Sequence, residues 1–69
     1  MVLHTPITIY VTGTYNVGWR AYIGLQDAHW KVREQRTGPK TKSGEAILGL
    51  IRQLRNAGFT GQFDVIGDD

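Results

Sequence analysis

The stretch Thr41–Gly58, TKSGEAILGLIRQLRNAG, reads as the single helix of the chain, and its apolar stripe decides the fold. Ile47, Leu50, Ile51 and Leu54 recur at i, i+3, i+4 and i+7 and so share one side of a 3.6-residue spiral. Arg52, Gln53, Arg55 and Asn56 fall off that stripe and are expected to face water. At the start, Thr41 or Ser43 can act as N-cap through a side-chain oxygen, and Glu45 sits near the positive end of the helix dipole. Gly58 stands where a left-handed residue closes a helix without a Cβ clash. Burying each aliphatic side chain of the stripe is worth at most about 1.5–3 kcal/mol, so this helix organises the core.

Working outward, the 69 residues make one domain, 1–69, near the lower limit for independent folding. There is no cysteine, which removes disulfides, thiol nucleophiles and cysteine-based metal sites, and suits a reducing, cytoplasmic setting. No signal-like or bilayer-spanning apolar run is present, so no membrane association is expected. A formal charge of +2 says little about partners. A small core without staples favours burial of an exposed sheet face or edge in a homodimer.

Before the helix, Val2 to Thr14 is expected as a first strand, with Ile7, Ile9 and Val11 alternating against Thr8, Tyr10 and Thr12. Gly13 to Gly18 is turn chemistry in which glycines can take positive φ. Trp19 to Leu25 reads as a second strand, with Trp19, Ala21, Ile23 and Leu25 on one side and Arg20 and Tyr22 on the other. Gln26-Asp27 makes a tight reversal into a third strand, Ala28 to Arg36, where Ala28, Trp30 and Val32 alternate against His29, Lys31 and Arg33. After the helix, Phe59 to Ile66 gives a last strand with Phe63 and Val65 inward. The fold class is α+β with order β-β-β-α-β. Three strands form an antiparallel meander, the helix packs on one face, and the final strand returns parallel to the first through a right-handed crossover.

Tyr22-Ile23-Gly24-Leu25, together with Thr37-Gly38 and Thr41-Lys42-Ser43-Gly44-Glu45-Ala46, resembles the HicB-type antitoxin domain, a cut-down relative of the ribonuclease H-like fold. The resemblance implies a small α+β module that binds a toxin-type ribonuclease, in a family that often carries a separate DNA-binding segment. It also implies where a nuclease would place carboxylates: on strand one, on the helix and after strand four. Glu45 and Asp68 match the second and third positions, whereas neutral Thr12 occupies the first and cannot supply a metal-ligating charge. A degenerate, metal-dependent nuclease through Glu45 and Asp68 is thus the weaker alternative to helix capping and tail solvation.

Other chemistry is poorly supported. Ser43, the only serine, suits capping better than nucleophilic attack; His4 and His29 lack neighbours at metal-ligand spacing. Gly13 and Gly18 have the spacing of a phosphate loop, but Trp19-Arg20 follows where Lys and Ser/Thr are required. No catalytic residue, cofactor or metal site is therefore expected, and the chain is read as a non-catalytic binding module.

Two surfaces could bind. The uncovered sheet face would present Tyr10, Arg20, Tyr22, His29, Lys31 and Arg33, aromatic rings interleaved with cations. Such a face suits a protein partner or a second copy, with Tyr and Arg as anchors. Alternatively, it suits nucleic acid through base stacking and phosphate contact. A solvated face of strand-forming residues is the bland reading. The second surface is Lys40, Thr41, Lys42 and Ser43 at the helix start, where backbone N–H groups, hydroxyls and ammonium groups could hold an anion; a mobile basic loop is its bland counterpart.

Overall fold

The computed structural model describes residues 5–67; expectations resting on Val2, His4 and Asp68 lie outside the described residues. The elements are β1 (Ile7–Thr14), β2 (Gly18–Ile23), a 3-10 helix (Leu25–Trp30), β3 (Gln35–Arg36), α1 (Ser43–Asn56) and β4 (Phe63–Gly67). They form a four-stranded sheet in the order β3-β2-β1-β4. β1 and β2 pair antiparallel, as do β2 and β3, and β4 lies parallel to β1. This is the expected β-β-β-α-β arrangement with one helix against one sheet face.

The alternation in β1 buries Ile7, Ile9 and Val11 beneath the helix, where they meet Ala21, Ala46, Leu50, Leu54 and Phe59. Ala46, Leu50 and Leu54, spaced by four, form the buried line of α1, while Ile47 and Ile51 pack beside them half-buried. Leu48 points away and stays exposed.

Both helix ends have definite partners. Lys42, not Thr41 or Ser43, is the N-cap residue, and the Glu45 carboxylate accepts its backbone N–H at 3.0 Å. Lysine has no side-chain acceptor, so only that half of a capping box is made. Thr41 is engaged elsewhere, its hydroxyl lying 2.7 Å from Thr37 Oγ1 and 2.6 Å from the Gly38 carbonyl. At the other end Gly58 adopts φ +106° and donates to the Arg55 carbonyl, while Phe59 N–H donates to the Leu54 carbonyl at 3.0 Å. These two bonds are the Schellman arrangement, with buried Phe59 as the apolar residue that closes it. Phe59 therefore belongs to the helix terminus and not to the last strand, which starts at Phe63 and ends at Gly67.

The expected third strand is corrected most. Gln26-Asp27 is not a reversal between strands but part of the 3-10 helix, and Leu25, expected inward on strand two, opens that helix 93% exposed. Lys31 then takes a left-handed conformation (φ 56°), and ladder pairing is confined to Gln35 and Arg36. Trp30 and Val32 nevertheless pack against the core, with the Trp30 ring edge-on to Phe59 at 5.4 Å. Ala28, expected inward with them, is exposed in the 3-10 helix, so the period-2 pattern matches alternate burial only at Trp30 and Val32, where a non-strand backbone satisfies it. In β4, Phe63 packs on the core as expected, but Val65 is 48% exposed. Its register with Ile9 puts it on the helix side, at the sheet edge.

Candidate interaction surface

Cross-strand register assembles the open sheet face. Tyr10 lies opposite Tyr22 on one side and Ile66 on the other; Thr12 lies opposite Arg20, and Arg20 opposite Arg36. Paired residues project to the same side of a sheet, so these side chains form one continuous surface. The Tyr10 and Tyr22 rings stack at 5.6 Å between centroids, inclined by 22°. The Arg20 guanidinium sits 5.1 Å from the Tyr22 ring centroid, in range for a cation–π contact. Ile66, 56% exposed, extends the aromatic patch towards β4.

Two shallow depressions meet at Arg20. One, about 190 Å³, is lined by Tyr10, Thr12, Arg20, Tyr22 and Ile66. The other, about 340 Å³, lies towards the β1–β2 turn between Thr12, Val17, Arg20, Arg36 and Thr37. That turn depends on two glycines. Gly13 has φ +135° and Gly18 φ +109°; a Cβ on Gly18 would stand 2.2 Å from the Thr37 carbonyl oxygen. Trp19 ties the turn to the helix start: its N–H donates to Thr37 Oγ1 and its indole N–H to the Thr41 carbonyl at 2.8 Å.

Of the six residues expected on this face, the structure brings together Tyr10, Arg20 and Tyr22. His29, Lys31 and Arg33 lie off the sheet, between β2 and β3, because that segment is a 3-10 helix followed by an irregular strap. The Arg33 backbone is bonded to Gln53 on α1 instead. Their place is taken by Arg36, with Glu34 beside it, two residues the sequence reading did not single out. The i, i+2 spacing of an acid and a base before a strand break was the available signal. Glu34 Oε2 lies 3.1 Å from Arg36 Nε and 3.6 Å from Arg20 Nε.

At the helix start, Lys40 has φ 63° and donates its N–H to the Tyr15 carbonyl. The Thr41 hydroxyl and the Lys42 N–H, both expected to help hold an anion, already have protein partners. Lys40 and Lys42 are exposed and Ser43 half-buried. Glu45, the candidate nuclease carboxylate, is bound to the Lys42 N–H, and among the described residues no group of three or more His, Asp or Glu side chains gathers as a metal site. No described helix is long and apolar enough to cross a membrane.

No protein-family model matches the chain, and no curated protein or solved structure matches it either.

Proposed function

We propose that this chain is a non-catalytic, HicB-like binding module of the cytoplasm that docks a protein partner, or a second copy of itself, on its open sheet face. The observation that carries this reading is the stacked Tyr10–Tyr22 pair, with Arg20 over one ring and exposed Ile66 beside the other. Tyrosine, arginine and an exposed aliphatic grouped on one flat surface have the composition of an interface centre. Nucleic acid is the second reading, and the charge arrangement favours it less. A strand-binding surface needs cations free to follow phosphates, whereas Glu34 stands between Arg20 and Arg36, and Asp64 adds a negative charge at the β4 side. The HicB resemblance makes a toxin-type ribonuclease the first partner to try.

The test is photo-crosslinking in cells from a reactive residue placed at Tyr22, compared with one at Arg52 on the outer side of α1. Protein adducts specific to position 22 and lost with Tyr10→Glu support the reading. Equal yields from both positions, or adducts that are mainly nucleic acid, overturn it. Sedimentation of the purified protein separates a second copy from a different partner.

A further inference from the structure

We propose that Arg20 and Arg36 form a fork for an acidic side chain of the docked protein, and that Glu34 is a tethered carboxylate which this side chain displaces. The inference rests on the open face being a protein-docking surface and specifies the chemistry of what docks there.

Register makes the two arginines direct cross-strand neighbours, an arrangement in which like charges repel. Among the described residues Glu34 alone offsets them: it hydrogen-bonds Arg36 at 3.1 Å and reaches Arg20 only at 3.6 Å, in both cases through Nε. One carboxylate thus serves two guanidinium groups and completes a close contact with one. All three side chains are exposed, at 45% for Arg20, 71% for Arg36 and 41% for Glu34, so the bridge is solvent-screened and easily replaced. A guanidinium presents a planar fork of donors that matches a carboxylate in bidentate fashion, and the contacts to Glu34 leave that geometry unmet.

The charge asymmetry selects the partner. Among the described residues this corner carries two positive groups against one negative, whereas Asp64 lies towards the other end of the face, in register with Thr8 and not with Thr12. A carboxylate from outside would complete the Arg20 contact, and its apolar neighbour would reach Tyr22 and Tyr10. Glu34 meanwhile acts as an internal competitor that weak anions fail to displace. A basic, RNA-binding surface would meet the fork unfavourably, so a ribonuclease partner must dock through an acidic patch.

The experiment titrates the isotope-labelled full chain with two acetylated, amidated peptides, Gly-Leu-Glu-Leu-Glu-Gly and its Gln-for-Glu counterpart. It reads the Nε–H signals of Arg20 and Arg36 and the ring signals of Tyr22. The expected result is saturable shifts of all three with the acidic peptide and at least about fivefold weaker binding of the amide peptide. Glu34→Gln should tighten the acidic peptide by about two- to fivefold, and Arg36→Gln should abolish the preference. Equal binding of both peptides, or weaker binding in Glu34→Gln, overturns the fork; tyrosine shifts in that case leave the docking face itself standing. Signals that move with neither peptide also overturn the fork, and the crosslinking contrast between Tyr22 and Arg52 then decides the docking reading separately. Equal shifts with inorganic phosphate, or tighter binding of a short oligothymidine, overturn it in favour of a general anion or a phosphate backbone. Thermal melts of Glu34→Gln, Arg36→Gln and the charge-retaining Arg36→Lys establish that each variant is folded.

Discussion

Gln53 holds Arg33 through both of its backbone groups: Arg33 N–H donates to Gln53 Oε1 at 3.1 Å, and Gln53 Nε2 donates to the Arg33 carbonyl at 2.9 Å. A helix side chain thus supplies the pair of bonds that a neighbouring strand would have made. The strap between Trp30 and Gln35 can therefore leave the sheet without leaving the Arg33 peptide groups unpaired.

Removing this clamp should loosen the strap while sparing the sheet. Gln53→Ala is expected to cost about 0.5–1.5 kcal/mol, because water can replace the lost partners at this exposed site. Hydrogen exchange at Arg33 should accelerate well before that of Val11 or Ala21. Uniform acceleration across the sheet would show that the clamp supports the whole fold.

Gly18→Ala should be among the most damaging single-atom-scale changes. The residue has φ +109°, and its added Cβ would stand 2.2 Å from the Thr37 carbonyl, a backbone atom that cannot turn aside. The expected cost is at least about 2 kcal/mol, read as a lower midpoint in urea unfolding. A parent-like midpoint would mean that the turn has an alternative conformation.

Leu50→Asp should abolish cooperative unfolding, since Leu50 is fully buried at the centre of the single core cluster among the described residues. Even Leu50→Ala is expected to cost about 2–5 kcal/mol, a large part of what a small domain possesses. Near-ultraviolet circular dichroism and a thermal melt report both. A parent-like melt for Leu50→Asp would refute the packing of α1 on the sheet.

Glu45 separates capping from catalysis. Glu45→Ala should destabilise the helix start by about 0.5–1 kcal/mol through loss of the Lys42 N–H acceptor, while Glu45→Gln retains an acceptor and should cost less. Thermal melts rank the two variants. Cleavage of RNA or DNA that requires Mg²⁺ or Mn²⁺ in the parent and vanishes in Glu45→Gln would instead revive a nuclease role.

Much of the architecture was legible because it rests on periodicity and punctuation. Ile7, Ile9 and Val11 alternate, Leu50 and Leu54 recur at helical spacing, and Gly58 closes the helix. What misled was Ala28 to Arg36, where Trp30 and Val32 are inward as in a strand although Leu25–Trp30 is a 3-10 helix. Alternation records which side chains are covered; it carries no information about where the backbone N–H and C=O groups find partners. In this segment Gln53 supplies part of that answer, from a position more than one element away in sequence. The candidate surface was legible to the same extent. Tyr10, Arg20 and Tyr22 lie on strands whose pattern is unambiguous, whereas Arg36 and Glu34 depended on a register that the strap determines.

The parallel pairing of β4 with β1 also bears on how the chain is made. The β1–β2 hairpin is local and can close early, but the other edge of β1 waits for β4, which is synthesised after every other described element. Until then a strand bearing Ile7, Ile9 and Val11 has an open row of hydrogen-bonding groups beside apolar side chains. The nascent chain therefore passes through an interval in which strand addition from another molecule competes with its own completion, and β4 is the segment that ends that vulnerability.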